Sequence, residues 1–404
     1  MNNMNINEPT RQYIESHAGD DVAQLALHPS KDPQVDMAVA LQQIAGRQKA
    51  KEKLPEWYAT EGILYPKKVS MEQCSSSQTA DYKASLVKGE SFADFSGGFG
   101  VDTAAFAKKF TKGWYVEPQE ELCELFQQNC KTLVINNVNI LNGPMEEHLG
   151  DIGRVDLIYL DPSRRDTHGR RVVSLADCTP NLLEWKSDLL SRCNTLMVKM
   201  SPMIDIFQTL RDLPETYAVH VVAVEGDCKE VLFLLTRRDA PWHDSTTDPT
   251  IIAVDINKIK ALSVETTLET ERTTPPCIAT EVGSNLYEPN AAVMKAGIFN
   301  ALSQQYQVAK LAKSTNLFTA NDLREDFPGR VFRIEAVHEF HPRKTGKELS
   351  HLANASIAVR NFPMTAEELR KVLKIRDGNA GYLFGCTLWN DKRVILQTNK
   401  IKGE

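Results

Sequence analysis

The sequence of 404 residues predicts an α/β protein, in which helices flank a mostly parallel sheet between an N-terminal helical region and a C-terminal α+β region. Three observations predict this fold. Between about residues 86 and 240, short apolar runs alternate with helix-like segments, which is the pattern of βαβ units. A glycine-rich turn at 96–100 joins the first apolar run to a helical pattern. The polar motifs follow the predicted strands, at the edge where open parallel sheets bind ligands.

The residues up to about 85 predict helices. Met37, Leu41 and Ile44 recur at i, i+4 and i+7 and so form one apolar helix face, and Pro55 limits its far end. The sequence does not open on a basic stretch followed by an apolar core, so no signal peptide is expected. No apolar run approaches the ~20 residues that span a bilayer, so no membrane segment is expected either.

The central region predicts seven strands, each of them a short apolar run. The five that we expect to be parallel are 91–95, 113–117, 138–141, 155–160 and 195–199. A helix is predicted over 120–130. Two later runs, at 218–224 and 230–235, predict an antiparallel hairpin that closes the sheet.

The glycine-rich turn predicts a nucleotide-type binding site. Gly97, Gly98 and Gly100 allow positive φ values and let a ligand approach the main chain, and Ser96 precedes them in the same turn. The helix that follows adds free amides and a positive dipole end. Glu117 ends the second strand, 20 residues beyond Gly97, where an acidic residue would hold a ribose.

The charges beside this turn favour one kind of cofactor. Asp94 precedes the glycines and Asp102 follows them. A pyrophosphate gains little beside two carboxylates, so the charge pattern disfavours NAD. A ligand that carries an ammonium and a sulfonium suits these carboxylates, and S-adenosylmethionine is such a ligand.

Several motifs carry a resemblance to a known family. Asp94–Gly100 with Glu117 resembles the first motif and the ribose acid of class I S-adenosylmethionine-dependent methyltransferases. Asp161-Pro162-Ser163-Arg164 is similar to their Asp-Pro-Pro-Tyr or Asn-Leu-Pro loop after strand four. Residues 287–297 and 359–363 resemble the bacterial methyltransferase family that carries a C-terminal THUMP-like domain.

This resemblance implies a Rossmann-like class I methyltransferase sheet within a chain of four parts. They are a helical region at 1–85, the methyltransferase domain at 86–280, a small ferredoxin-like insert at 281–330 and a THUMP-like domain at 331–404. Within the insert, Ala291, Met294, Ile298 and Leu302 recur in one helical register, so the insert reads as helical. A helix is also predicted over 366–373.

The implied cofactor is S-adenosylmethionine, and nine residues are candidates to bind it. The Thr79 hydroxyl could donate a hydrogen bond to the carboxylate of the cofactor. Alternatively, the run of serines with Thr79 only forms a helix cap. Asn142 lies where a side chain would contact adenine, but Asn-Gly-Pro is equally a turn. The candidates are Thr79, Asp94, Ser96, Gly97, Gly98, Gly100, Asp102, Glu117 and Asn142.

The loop after strand four predicts where the methyl acceptor binds. Methyl transfer is an in-line displacement, so the enzyme contributes proximity, alignment and charge. The Asp161 carboxylate could accept hydrogen bonds from an exocyclic amine, and Pro162 stiffens the turn. Ser163 and Arg164 complete the loop. Amino-methylating enzymes usually place an aromatic at the fourth position to stack on the base. Here Arg164 could stack on a base or pair with a phosphate, so the methylated atom stays open.

Two further candidates end strand five. Lys199 could neutralise a phosphate or orient Asp161. A structural role in a buried ion pair at the sheet edge explains a lysine at this position equally well. Ser201 could position the substrate. No cysteine lies in the loop after strand four, which sets aside cytosine C5 methylation.

The charge distribution indicates which class of partner to expect, and the cysteine content indicates the cellular compartment. The net charge is −6, yet residues 331–404 carry 13 Lys and Arg against 8 Asp and Glu, a balance of +5, and the remainder carries −11. A basic module on an acidic enzyme is consistent with a polyanionic substrate. The eight cysteines form no C-x-x-C pair and read as reduced thiols in a cytoplasmic protein. The nine histidines show no ligand spacing, so no metal is expected.

The preferred interpretation is a methyltransferase that modifies a base nitrogen in structured RNA, either tRNA or rRNA. One alternative is N6-adenine methylation of DNA, and another is a protein that binds S-adenosylmethionine or RNA without catalysis. A nicotinamide-dependent oxidoreductase is the weakest alternative. The sequence leaves the RNA species and the oligomeric state open.

Overall fold

The computed structural model describes residues 6–162, 175, 178–237, 248–257 and 262–402. The chain forms two compact units. The first comprises Met1–Thr216 and Phe233–Ser245, and the second comprises Tyr217–Leu232 and Thr246–Glu404. Among the described residues, no helix has the length and apolar character needed to cross a membrane.

The first unit begins with a helical region, as the sequence predicts, and six helices are described in it. Asn7, Asp21, Asp36 and Ser76 cap four of them by accepting hydrogen bonds from backbone amides of the first turn. The helices are α1 (Glu8–Ser16), α2 (Val22–Leu27), α3 (Met37–Lys53), α4 (Pro55–Ala59), α5 (Lys68–Gln73) and α6 (Ser77–Leu86). Ile44 on the predicted apolar face of α3 is fully buried against α1 and α2.

A parallel sheet follows in the same unit, in the order β3-β2-β1-β4-β5. Its strands are β1 (Ser91–Asp94), β2 (Lys112–Glu117), β3 (Val138–Asn142), β4 (Val155–Leu160) and β5 (Cys193–Met200). Its helices are α7 (Val101–Ala107), α8 (Glu120–Thr132), α9 (Met145–His148), α10 (Leu182–Ser191) and α11 (Ile206–Asp212). All five predicted strands are confirmed. The chain order reverses between β1 and β4, which opens a cleft at their carboxyl ends.

The predicted hairpin is also confirmed. It consists of β6 (Thr216–Val224) and β7 (Asp227–Leu235), and the last three residues of β7 belong to the first unit. Glu225 and Gly226 join the two strands with φ values of 51° and 79°, as a type I′ turn requires. Next in the second unit are β8 (Thr250–Ile256), β9 (Leu262–Thr267) and α12 (Leu268–Thr273), and the neighbours run β7-β6-β8-β9.

The rest of the second unit contains a seven-stranded sheet in the order β11-β12-β10-β13-β16-β15-β14. Its strands are β10 (Asn285–Pro289), β11 (Ala309–Ala312), β12 (Thr315–Ala320), β13 (Gly329–Glu339), β14 (Ser356–Arg360), β15 (Tyr382–Thr387) and β16 (Arg393–Lys402). Its helices are α13 (Ala291–Ala296), α14 (Phe299–Tyr306), α15 (Pro342–Glu348) and α16 (Ala366–Leu373). Alternate residues of β15 and β16 enter two separate apolar clusters, as the period of a strand requires.

The prediction of a helical segment at 281–330 was wrong. This segment holds three strands and two short helices. Gly297 ends α13 in the left-handed conformation at φ 71°, and its amide bonds to the carbonyl of Val293. A glycine cap of this kind interrupts the register that Ala291 and Leu302 share in the sequence. The helix predicted at 366–373 is confirmed, and Thr365 and Glu368 form its capping box.

Candidate functional site

The glycine turn lies on an aromatic platform. Gly98 and Gly100 have φ values of 53° and 84°. A Cβ atom on Gly97 would lie 2.3 Å from Cε2 of Tyr115, and one on Gly100 would lie 2.1 Å from Cδ2 of Phe126. The Tyr115 and Phe126 rings stack with centroids 4.4 Å apart, and the Tyr115 hydroxyl donates to the Gly98 carbonyl at 2.7 Å. The rings exclude a side chain at Gly97 and Gly100, and the positive φ of Gly98 favours glycine there, so bare main chain faces the cleft.

Asp94 anchors the turn from inside. It is fully buried, and its carboxylate accepts hydrogen bonds from the Ser96 amide at 2.9 Å, the Ser96 hydroxyl at 3.1 Å and the Thr103 hydroxyl at 2.6 Å. Burial raises the pKa of Asp94 to about 7. The hydrogen bonds to Ser96 and Thr103 show that Asp94 holds the glycine turn together from beneath. Its side chain does not line the cavity.

The raised pKa of Asp94 predicts a pH-dependent stability. In the folded state Asp94 keeps a proton up to about pH 7, whereas the ordinary pKa of this carboxyl is 3.8. Its contribution to the free energy of unfolding therefore falls as the pH rises from about 4 to about 7, and is constant above that. Asp94→Asn cannot ionise. As the pH rises from 5 to 8, the free energy of unfolding of this variant, measured in urea, should increase by roughly 2 kcal/mol relative to that of the wild type.

The control for this prediction is Asp188→Asn. Asp188 is exposed on α10, so this variant should follow the pH dependence of the wild type. An Asp94→Asn protein whose stability parallels the wild type at both pH values would contradict the assignment.

Glu117 ends β2 with a fixed carboxylate. One oxygen accepts a hydrogen bond from the Gly98 amide at 3.0 Å, and the other accepts from the Gln119 amide at 3.0 Å. Asn142 does not line the cavity. Its amide donates to the carbonyls of Glu117 at 3.0 Å and Pro118 at 3.2 Å, which ties the tips of β2 and β3 together.

The Asp161 corner is joined to the glycine turn. The Asp161 amide donates to the Ser96 hydroxyl at 2.8 Å, and its carboxylate forms an ion pair with Lys199 of β5. Pro162 is buried, and the Ser201 hydroxyl accepts from the amide of Met203 at 3.2 Å. The other two predicted loop residues, Ser163 and Arg164, lie outside the described residues.

One cavity of about 330 Å³ collects most of the predicted residues. It is lined by eight of them: Ser96, Gly97, Gly98, Gly100, Asp102, Glu117, Asp161 and Lys199. Five other predicted residues are described but do not line it: Thr79, Asp94, Asn142, Pro162 and Ser201. The Thr79 hydroxyl donates to the Ser76 carbonyl at 3.2 Å in the first turn of α6, in agreement with the helix-cap alternative.

Part of the cavity wall was not predicted from the sequence. Seven of the residues that were not predicted come from α5, from the α5–α6 junction and from the start of α9: Ser70, Gln73, Cys74, Ser75, Pro144, Met145 and Glu146. Met145 and Glu146 lie just beyond the tip of β3, where Asn142 was the candidate. Among the described residues, no group of three or more His, Cys, Asp or Glu side chains could hold a metal ion.

A buried lysine was also missed. Lys83 on α6 is fully buried, and its Nζ lies 3.0 Å from the Ser75 hydroxyl and 3.2 Å from Oδ1 of Asp102. The hydroxyls of Ser75 and Tyr159 donate to Oδ2 of Asp102 at 2.8 and 3.1 Å. Burial favours the neutral form of Asp102, but Lys83 and Lys199 outweigh it and hold the pKa below its ordinary value. Lys83 shares its helix face with Thr79, Ala80 and Ala84, so one lysine among small residues was the available signal.

Comparison with known proteins gives the family. Residues 286–328 match the model of a ferredoxin-like domain, and residues 329–400 match the model of a THUMP domain-like family. A solved structure described as a “putative methyltransferase” from Porphyromonas gingivalis W83 is 30% identical in sequence, with a TM-score of 0.86. The alignment covers 98% of each chain. This chain belongs to the methyltransferase family with a C-terminal THUMP-like domain.

The family assignment confirms the resemblance and the fold class predicted from the sequence. The methyltransferase is also similar to an rRNA methylase from Streptococcus thermophilus, at 16% identity and a TM-score of 0.31. That alignment covers 40% of this chain and 94% of the other, and it carries no argument about activity. No curated protein sequence matches this methyltransferase.

Proposed function

We propose that this methyltransferase uses S-adenosylmethionine to methylate a base nitrogen in structured RNA. The observation that carries the proposal is the single cavity shared by the glycine turn, the Glu117 carboxylate and the Asp161–Lys199 pair. These groups come from β1, β2, β4 and β5, so their meeting follows from the topology of the sheet.

The cavity suits an adenosyl cofactor with a positive charge. Its volume of about 330 Å³ falls within the range of small-molecule sites. Oε1 of Glu117 accepts hydrogen bonds from the backbone and side-chain amides of Gln119, and Oε2 accepts one from the Gly98 amide, so Oε2 keeps a lone pair for a ribose hydroxyl. The cavity wall includes the carboxylates of Asp102, Glu117 and Asp161 and the ammonium of Lys199, so negative charge exceeds positive charge among these groups. A sulfonium donor gains from this charge, whereas a pyrophosphate would not.

The Asp161 corner suits an amine acceptor. When bound, the cofactor supplies a methyl group on a positively charged sulfur. The Asp161 carboxylate accepts a hydrogen bond from the acceptor amine and so directs the nitrogen lone pair toward that methyl group. Lys199 fixes the carboxylate through its ion pair, and the Ser96 hydroxyl fixes the Asp161 backbone. The corner would align an attacking nitrogen so that the new N–C bond forms as the C–S bond breaks and the thioether leaves. The proton that the methylated amine then loses would pass to solvent water.

RNA is the acceptor that the C-terminal region supports. The match to the THUMP domain-like model covers residues 329–400, and residues 331–404 carry a balance of +5. Positive charge of this kind binds a phosphate backbone. The Asp-Pro corner would equally suit an amino group of adenine in DNA, and a methyl-transfer assay with RNA and DNA offered separately distinguishes the two acceptors.

Thermal unfolding tests the proposed cofactor. At 100 times its dissociation constant, S-adenosylhomocysteine should stabilise the protein by about 2.7 kcal/mol and raise the unfolding temperature by a few degrees. Glu117→Ala should lose most of this shift, because it removes the carboxylate that would hold the ribose. NAD is the matched control ligand and should produce no shift. Protection by NAD without protection by S-adenosylhomocysteine would overturn the proposal in favour of an oxidoreductase.

A further inference from the structure

Glu288 of β10 is a buried carboxylate that holds two arginines. Its side chain is only 6% exposed. Oε2 accepts a hydrogen bond from Nε of Arg330 at 2.7 Å and a second from Nη2 of the same guanidinium. Oε1 accepts a hydrogen bond from Nη2 of Arg360 at 2.5 Å. Glu288 and Arg360 belong to the two C-terminal segments that carry the family resemblance, 287–297 and 359–363, so these segments meet at one carboxylate.

Both guanidiniums have further contacts that fix them. Arg330 lies opposite Glu288 in the ladder between β10 and β13, and its Cζ atom lies 5.6 Å from the centroid of the buried Phe332 ring. Arg360 is the last residue of β14, and its Nη1 donates to the Val359 carbonyl at 2.8 Å. Because the sheet and these contacts already order the two side chains, they lose little entropy when they bind a ligand.

Each guanidinium still has donors to offer. The side chains of Arg330 and Arg360 are 36% and 37% exposed. A guanidinium carries five N–H groups, and the contacts above use two of them in each residue. Within the described part of the chain, the other three N–H groups of each arginine have no acceptor. They therefore remain for an acceptor outside the chain.

The three side chains together carry a charge of +1. One arginine compensates the buried Glu288, and desolvation leaves such a pair with little net stabilisation. The second arginine adds a surplus positive charge that the fold does not require. Residues 331–404 also carry a balance of +5, so a polyanion is the class of ligand that this cluster favours. Phosphate oxygens match the planar fork of an arginine through two parallel hydrogen bonds.

We propose that Arg330 and Arg360 bind phosphates of the RNA backbone, and that Glu288 is a positioning residue for both guanidiniums. This inference rests on the proposed RNA acceptor. It adds a binding site within the second unit, whereas the residues that line the cavity belong to the first unit. Phosphate contacts of this kind hold a nucleic acid in place without reading its sequence.

Binding of fluorescein-labelled bulk tRNA, measured by fluorescence anisotropy, tests the two arginines. At about 100 mM KCl, Arg330→Gln and Arg360→Gln should each weaken binding by about tenfold. Each should also reduce the slope of log affinity against log salt concentration by about one, since one phosphate contact is lost. Arg360→Lys keeps the charge but loses the fork, so its affinity should lie between those of wild type and Arg360→Gln.

Arg370→Gln is the matched control for lost charge. Arg370 lies on α16 in the same unit, and its side chain is 25% exposed and paired with Asp377 at 2.8 Å. This variant removes one positive charge away from the Glu288 cluster, and should bind tRNA within about twofold of wild type. Each glutamine variant at the cluster leaves Glu288 one arginine, so the buried carboxylate keeps a counter-charge. Thermal unfolding checks that these variants are folded.

Glu288→Asp tests the positioning role. It keeps the negative charge but shortens the side chain by one methylene group, so it no longer reaches both guanidiniums. The net charge is unchanged, and a loss of tRNA affinity therefore reports the arrangement of the arginines. We expect binding about threefold weaker than that of the wild type. Wild-type affinity in the folded variant would overturn the role of Glu288.

The outcomes separate the inference from the proposed function. If wild type binds tRNA and the two glutamine variants at the cluster match Arg370→Gln, the inference is overturned and the proposed RNA acceptor stands. Poly-glutamate is the competitor of another chemical class. If it displaces labelled tRNA as well as unlabelled tRNA does, the surface recognises acidic protein and the inference is also overturned. If wild type binds no tRNA, the proposed acceptor itself fails.

Discussion

Gly100→Ala is expected to abolish binding of S-adenosylhomocysteine and to lower the free energy of unfolding by about 3 kcal/mol or more. Gly100 has a φ of 84°, which costs an alanine roughly 1–2 kcal/mol. The new Cβ would lie 2.1 Å from the Phe126 ring, and overpacking of this kind typically costs about 1–3 kcal/mol. Phe126 is fully buried and stacked on Tyr115, so the turn must move instead. Urea unfolding and calorimetric titration measure the two effects.

Gly153→Ala is the matched control for this substitution. A Cβ atom at Gly153 would meet no atom within 4 Å, and its φ lies outside the left-handed region. Its stability should stay within about 0.5 kcal/mol of wild type, with unchanged ligand affinity. If Gly100→Ala behaved like Gly153→Ala, the main chain of the turn would not be the ligand surface.

Asp161→Ala is expected to slow methyl transfer to RNA by about 10²–10³-fold, while the affinity for S-adenosylhomocysteine changes only a few-fold. The substitution removes the carboxylate that aligns the acceptor amine and breaks the ion pair with Lys199. The backbone amide of residue 161 still donates to Ser96, so the glycine turn keeps its support. Single-turnover transfer and calorimetry separate the two quantities.

Two comparison variants sharpen this prediction. Asp161→Asn keeps an amide oxygen that accepts a hydrogen bond, so we expect it to retain more activity than the alanine variant. Asp188→Ala changes an exposed aspartate of α10 and should transfer at the wild-type rate. Equal transfer rates for Asp161→Ala and wild type would remove Asp161 from the acceptor site.

The sequence predicts those parts of the site that depend on backbone topology. Apolar runs identified β1 to β5, and parallel strands bring their carboxyl ends to one edge. Glu117, Asp161 and Lys199 follow or end such strands, so their meeting in one cavity could be predicted. The glycines of the turn could be predicted for the same reason, although the ring of Phe126, which excludes any side chain at Gly100, could not.

The direction of individual side chains could not be predicted. Asp94 and Asn142 lie at strand ends like Glu117, but they bond to neighbouring backbone and hydroxyl groups instead of facing the cavity. Such choices depend on which donors the tertiary fold brings near, and no local pattern records them. Lys83 was missed because a lysine in a helix is ordinarily a surface residue. Its partner Asp102 lies 19 residues further along the chain, on α7.

The measurement that tests the account most directly is transfer of a tritiated methyl group from S-adenosylmethionine to nucleic acid from cells that lack the protein. Total RNA and genomic DNA are offered separately, with Asp161→Ala as the blank, and labelled nucleosides are identified by mass spectrometry. We expect label in RNA, in a nucleoside methylated at a base nitrogen. Label in DNA alone, or no label above the blank in either pool, would contradict it.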